Sequence, residues 1–294
     1  MRLLSHAVLW LMRLVAALPL AWQAALGSAM GRLLYRLGGA RRRVALRNLE
    51  LCLPQLDAPA REALAREHFY WLARSLLERG LLWYASHDRL RRLIHVEGDV
   101  GYAERCGRPM MWLTPHFVGL DIGGAAVQLY VKRPAIVLYQ PQSNPVFDAA
   151  LRAGRLRFGH GKTLPRHGNV MSLIRAIRGG DVFVNLPDMD FGNRDAAMVP
   201  FFGVPAATLL APARLARALG MVVQPLIVEL LPGGQGYRVR FLPPWEDFPG
   251  ADDDVAATRR VNAFIEEQIR AMPAQYLWVH RRFKTRPEGE PPLY

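Results

Sequence analysis

From about residue 88 onward, short apolar runs alternate with helical stretches, and this alternation constrains the fold more than any other feature of the chain. Residues 93–96, 110–113, 136–139, 182–186, 222–228 and 237–242 are runs too short for helices and rich in residues that suit strands. Helical patterns occupy 119–130, 145–157, 169–178 and 206–219 between them. Parallel neighbours need a crossover long enough to hold a helix, so the alternation predicts an α/β fold with a mostly parallel central sheet flanked by helices. Upstream, 40–51 reads as a basic amphipathic helix and 58–84 as a long helix, with Leu64, Phe69, Leu72, Leu76 and Leu77 at helical spacing. Downstream, 255–271 reads as an amphipathic helix whose start is enriched in acid, as the helix dipole favours.

The first part of the chain has a different texture. Residues 14–31 carry no charge, and residues 3–12 extend the apolar stretch, interrupted by Ser5, His6 and then Arg13. This length is near the lower limit for a membrane span, and Pro19 and Gly27 are tolerated in membrane helices. Trp10 and Trp22 suit a membrane–water boundary. Arg2 and Arg13 lie upstream, whereas Arg32, Arg36, Arg41, Arg42, Arg43 and Arg47 crowd downstream, which places the main body in the cytoplasm by the positive-inside rule. A thin basic region before the apolar stretch argues against a cleaved signal peptide. The expectation is an N-terminal membrane-anchoring helix over 1–36, either spanning or lying in the interface, followed by a single α/β domain over 37–294 that ends in a basic tail.

A net charge of +13 calls for an anionic partner, and arginine pairs well with phosphate and carboxylate. Nucleic acid and an anionic membrane surface are the two usual candidates, and the uncharged N-terminal stretch favours the membrane. Two cysteines, Cys52 and Cys106, lack partners at metal-ligand spacing, which argues against a zinc site and rules out a disulfide scaffold. No metal or cofactor is expected.

His116-Phe-Val-Gly-Leu-Asp121 follows a predicted strand, where ligands bind in parallel sheets. Histidine can take a proton from a hydroxyl near neutral pH, and a carboxylate on its other ring nitrogen can fix the tautomer. With 25 acidic residues in 294, one such spacing among eight histidines arises about as often as not, so the motif alone is weak. Leu186-Pro187-Asp188-Met189-Asp190-Phe191-Gly192 follows another predicted strand. Its alternate aspartates suit a metal site, a structural turn or a polar anchor beside the active site, and no third metal ligand stands at loop spacing. Arg155 and Arg157 end a predicted helix, as a solvated basic face or as a clamp on a phosphate. The aromatic and basic run from Trp278 to Pro287 fits single-stranded nucleic acid or an anionic bilayer.

Four segments together resemble the late lipid A acyltransferases of Gram-negative bacteria, the lauroyl and myristoyl transferases often called the HtrB family. They are His116-x4-Asp121, the 186–192 segment, Val-Pro-Phe-Phe-Gly-Val-Pro-Ala-Ala-Thr at 199–208, and Gln-Tyr-Leu-Trp-Val-His-Arg-Arg-Phe-Lys-Thr-Arg-Pro at 275–287. The His-x4-Asp pattern is shared with glycerolipid acyltransferases, whereas the last two segments are much more specific. The resemblance runs over essentially the whole chain. It implies acyl transfer from acyl carrier protein to the 3-hydroxyl of a primary acyl chain on a Kdo-bearing lipid A precursor, at the cytoplasmic face of the inner membrane. It also implies His116 as general base with Asp121 as its partner, and substrate binding by Arg155 and Asp188. The family often carries glutamate where Asp121 stands. Trp112, Phe117 and Phe201 are candidates for lining an acyl groove, although core packing suits each as well. An acceptor of another lipid class, or a non-catalytic protein that binds anionic lipid, are the alternatives.

Overall fold

The computed structural model describes residues 2–159, 161–166 and 170–294. Nine strands are present among them: β1 (Ile94–Gly98), β2 (Met110–Leu113), β3 (Ala135–Tyr139), β4 (Gly161–Pro165), β5 (Val182–Asn185), β6 (Ala196–Phe201), β7 (Val204–Leu209), β8 (Val222–Leu230) and β9 (Tyr237–Phe241). Seven form one sheet in the order β1-β9-β8-β2-β5-β3-β4. The run from β8 through β2, β5, β3 and β4 is parallel throughout; β9 lies antiparallel to β8, with β1 parallel to β9 at the edge. Every residue of β2, Met-Met-Trp-Leu, is buried. A parallel strand covered on both faces calls for such an unbroken apolar run.

The helices are α1 (Arg2–Ala17), α2 (Leu20–Leu37), α3 (Gly39–Cys52), α4 (Ala58–Leu77), α5 (Arg79–Tyr84), α6 (His87–Leu93), α7 (Tyr102–Arg105), α8 (Leu120–Tyr130), α9 (Pro145–Leu156), α10 (Val170–Arg178), α11 (Ala211–Leu219) and α12 (Asp254–Ala271). Side chains alternate across the strands and divide the core in two. Met110, Trp112, Ala135, Val182 and Leu226 pack with α8 on one face. Met111, Leu113, Ile136, Phe183 and Ile227 pack with α10, α11 and α12 on the other. The mostly parallel α/β architecture expected from the alternation is therefore present.

Several expected elements differ, each for a local reason. The stretch 206–219 is not one helix: β6 and β7 form a separate antiparallel hairpin, and α11 starts only at Ala211. The hairpin turn is Phe202-Gly203, with φ of 51° and 79°, the doubly positive conformation that matches the twist of a two-residue hairpin. Pro212 sits in the first turn of α11, where its missing N–H costs nothing. The helix expected over 58–84 divides into α4 and α5 at Glu78; just beyond, a side chain on Gly80 would meet the Met12 carbonyl at 2.5 Å, so α1 packs there only against glycine. The helix α10 is described from Val170; its expected start at Asn169 lies outside the described residues.

At the N-terminus the uncharged stretch is interrupted. Chain direction breaks at Leu18-Pro19 between α1 and α2, and among the described residues no helix is long and apolar enough to cross a membrane. Two glycines of α2 are there for packing. Gly27 and Gly31 face α4, where an added Cβ would meet the Arg74 side chain at 2.6 Å and the Tyr70 backbone at 2.7 Å. Arg74 itself is buried and paired with Glu78 at 2.6 Å, and donates to the Leu231 carbonyl at 2.7 Å. The outer faces of α1 and α2 nevertheless expose Leu3, Leu4, Trp10, Leu11, Leu14, Trp22, Leu26 and Leu33.

The basic C-terminal segment is mostly structural. Trp278, Arg282 and Phe283 are buried, while Arg281 and Lys284 are exposed. Arg282 donates to the Ala207 carbonyl at 2.8 Å and the Thr208 hydroxyl at 2.7 Å, and Asn48 donates to the carbonyls of Trp278 and His280 at 2.7 Å each. The segment thus ties the β6–β7 hairpin and α3 to the main sheet.

Candidate active site

His116 sits just past the carboxyl end of β2, beside the end of β5. Its loop is pinned on both sides. Thr114 donates its N–H to the Asn185 carbonyl at 2.9 Å, Val118 donates to the Gln275 carbonyl at 2.8 Å, and the His116 carbonyl accepts from Leu277 at 3.0 Å. Gln275 in turn clamps the end of β8: its amide oxygen accepts from the Leu230 N–H at 2.8 Å and its amide nitrogen donates to the Leu230 carbonyl at 2.9 Å. The C-terminal segment therefore holds the loop that carries the histidine.

Asp188 grips His116 twice. One carboxylate oxygen accepts the His116 backbone N–H at 2.9 Å, and the other lies 2.7 Å from ring Nδ1. The carboxylate is fully buried, and 16% of the histidine side chain remains accessible, so the acid is dry and the ring is open. Burial pushes the Asp188 carboxyl up, but the adjacent His116 ring and N–H and the Arg282 guanidinium outweigh it and hold the acid below the usual range. With Nδ1–H donated to Asp188, Nε2 is left as an acceptor.

In the structure the side chain bonded to His116 is thus Asp188, not the Asp121 that the spacing predicts. Asp121 lies in the first turn of α8, and its carboxylate turns to two arginines instead. Arg155 reaches one oxygen at 2.9 Å (Nε) and 2.7 Å (Nη2), and Arg79 reaches the other at 3.0 Å. Burial raises the Asp121 carboxyl, but Arg155 and Arg79 outweigh it and lower it overall. This cluster of one carboxylate and two guanidinium groups leaves one positive charge in excess. Helix geometry explains the outcome: in the first turn after the Gly119 cap, Asp121 projects from α8 towards Arg155 of α9 and Arg79 of α5.

Asp190 is a turn residue. Its carboxylate accepts from Gly192 N–H at 2.9 Å, Thr285 N–H at 2.6 Å and Thr285 hydroxyl at 2.7 Å. Its own N–H is donated to Nε2 of His280 at 3.2 Å. Burial and the nearby His116 push His280 down to about 4, which keeps it neutral and able to accept that bond. Among the described residues no three His, Cys, Asp or Glu side chains converge as metal ligands.

Sequence reasoning missed Tyr276 and Arg282 as parts of the site. The Tyr276 ring packs edge-on to Phe117 at 5.8 Å, and burial beside the Asp188 carboxylate pushes its phenol well above the usual range. Arg282 supplies a buried positive charge to Asp188. Both lie in the 275–287 segment near the C-terminus, which was visible as a motif but not as a site component.

A cavity of about 760 Å³ opens beside His116. It runs under α8, α9 and α5 along β3 and β5. His116, Asn185 and Tyr139 line it at the carboxyl ends of strands, and Ala135 and Gly161 line it at the amino ends of β3 and β4. Asp121, Arg155 and Arg79 also line it, with Leu82, Trp83, Val127, Phe147 and Leu151 among its apolar walls. Trp112, Phe117 and Phe201 are buried core residues outside this lining.

A carboxylate-oriented histidine beside a largely apolar cavity is an arrangement suited to a base that acts on a hydroxyl next to a fatty chain. The comparisons with known proteins agree. The chain belongs to the bacterial lipid A biosynthesis acyltransferase family, whose profile matches residues 1–285. It is 34% identical to the lipid A biosynthesis lauroyltransferase of Escherichia coli (strain K12), over 99% of this chain and 94% of that one. It is 33% identical to the palmitoleoyltransferase of the same organism over 98% and 92%, and 30% identical to the myristoyltransferase over 94% and 85%. The chain is thus an acyltransferase that acts on lipid A.

Proposed function

We propose that the protein transfers a fatty acyl chain from an acyl carrier protein thioester to the 3-hydroxyl of a primary acyl chain on a Kdo-bearing lipid A precursor, with His116 as general base. The observation that carries this reading is the His116–Asp188 pair, with Nε2 free, at the end of the 760 Å³ cavity. The acceptor hydroxyl gives its proton to Nε2 while its oxygen attacks the thioester carbonyl. The tetrahedral intermediate collapses with C–S cleavage, and the departing sulfur takes the proton from Nε2. Asp188 holds the tautomer and stabilises the imidazolium, the role first expected for Asp121. Arg155 and Arg79, steadied by Asp121, offer the excess positive charge to a phosphate of donor or acceptor.

The same reading places the protein on the cytoplasmic face of the bacterial inner membrane. On this reading the exposed apolar faces of α1 and α2 rest in the interface of an anionic bilayer. Arg41 and Arg43, both exposed, are candidates for a basic patch that steers the acidic carrier protein. Purified protein given acyl carrier protein thioester and the Kdo-bearing precursor should yield a lipid heavier by one acyl chain in mass spectrometry, and His116→Ala should abolish it in a folded protein. Full activity in that variant overturns the base assignment, and turnover of other lipid acceptors at equal rate overturns the acceptor assignment.

A further inference from the structure

The relatives are named for different acyl chains, lauroyl, palmitoleoyl and myristoyl, so chain length is what varies among close homologues of this protein. The cavity contains a ladder that can read it. α8 descends from Asp121 beside the reacting end towards the amino ends of β3 and β4, at about 1.5 Å per residue. Gly124 lies one turn below the mouth and lines the cavity, and a Cβ there would have no atom within 4 Å. Gln128 lies one turn further, about 10 Å from Asp121 along the helix.

The Gln128 amide is fixed in place. Its nitrogen donates to the Gly124 carbonyl at 2.9 Å and the Arg155 carbonyl at 2.7 Å. Its oxygen is buried with no partner, against Gly161, where a Cβ would approach it to 2.8 Å. Gly161 is the first residue of β4, at the end of the sheet remote from His116. A methylene chain gains nothing by reaching an amide it cannot hydrogen-bond, so a fixed amide makes a stop.

We propose that Gly124 and Gln128 set acyl-chain length: Gly124 keeps the middle of the cavity open, and the Gln128 amide ends it. The inference rests on the reading that this cavity holds the donor acyl chain with its thioester at His116. It predicts opposite shifts from two substitutions on one helix. Gly124→Leu fills the open side and favours shorter chains, whereas Gln128→Ala removes the stop and admits longer ones.

The test is a competition among acyl carrier protein thioesters of 10, 12, 14 and 16 carbons, with products resolved by mass spectrometry. The readout is the ratio among products, not the rate. A shift of the preferred donor by two carbons or more, downward for Gly124→Leu and upward for Gln128→Ala, is the expected result. Product ratios equal to the wild type in both variants overturn the proposal. Thermal melting with free fatty acids of the same lengths gives a readout that needs no turnover: the chain that stabilises each protein most should move in the same directions. Gly124→Ala serves if the leucine variant does not fold. If no fatty acid stabilises the wild type at any length, the cavity does not hold the acyl chain and the underlying reading fails; if the wild type is stabilised with a clear optimum that neither variant moves, only the length assignment fails.

Discussion

Asp188→Asn separates the two acids that the sequence and the structure offer to His116. The carboxylate now accepts two bonds at once, from the His116 N–H at 2.9 Å and from ring Nδ1 at 2.7 Å. An asparagine has one acceptor oxygen. If it faces the backbone N–H, its NH₂ points at Nδ1 and selects the tautomer with a proton on Nε2, which cannot serve as base. If it faces Nδ1, its NH₂ meets the backbone N–H donor to donor. Either way, a positioned general base is lost or unsupported, and such a base is worth about 10²–10⁴ in rate, or about 3–5 kcal/mol of barrier. Asp121→Asn should act differently. It loosens Arg79 and Arg155, both about one-third exposed, and should change kcat by less than about tenfold, with the larger effect on KM. The assay is initial-rate acyl transfer from acyl carrier protein thioester to the Kdo-bearing precursor, with melting curves to verify the fold of both variants. A kcat for Asp188→Asn within tenfold of the wild type, or a greater kcat loss for Asp121→Asn, refutes the assignment of Asp188 as the orienting acid.

Burial holds His68 neutral by pushing it down to about 4, while the unfolded value is about 6.5. The unfolded chain therefore binds the extra proton in that window, and as pH falls from about 6.5 to 4 this group removes up to about 3 kcal/mol of stability. Urea midpoints across that range should fall less steeply in His68→Gln, and parallel slopes would contradict the assignment. Gly31→Ala should destabilise by about 1–3 kcal/mol, because its methyl meets the Tyr70 backbone at 2.7 Å. Gly124→Ala should instead stabilise by about 0.5–1 kcal/mol, since the helix gains alanine and nothing obstructs the methyl; denaturation of the two variants side by side decides between these signs. Trp22→Glu with Leu26→Glu should weaken co-sedimentation with phosphatidylglycerol vesicles and leave melting unchanged, because both side chains are exposed.

The parallel sheet was legible because its central strands are buried on both faces and must be apolar without a break. β4 was not, since Gly-Lys-Thr-Leu-Pro sits at the sheet edge and only half buries its residues. β6 and β7 were hidden by Pro200, Pro205 and four alanines, which resemble a loop and a helix start until the Phe202-Gly203 turn pairs them. The N-terminal apolar stretch looked like one span by length. Pro19 divides it, and Gly27 and Gly31 within it are held close against α4. His116 was legible from its place after a strand. Asp188 lies 72 residues further on, and no local spacing can reveal a pair made by two adjacent strand ends.

That separation of the two acids has a chemical logic. A residue that stabilises an imidazolium works best where water cannot screen it, and Asp188 is dry, with a buried guanidinium behind it. A residue that arranges cations for an anionic substrate must leave them reachable, and Asp121 holds two half-open arginines at the cavity rather than neutralising a closed site. One carboxylate could not do both at a single position. The loop after β2 and the first turn of α8 put four residues between His116 and Asp121, and across that interval the chain turns from sheet to helix. On the proposed mechanism the motif spans two sites: the base at its first residue, and the anchor of the cationic cluster at its last. The same turn sets α8 running down the cavity wall, so that the helix beginning at the charge cluster also lines the path from the reacting end to the far end of the sheet.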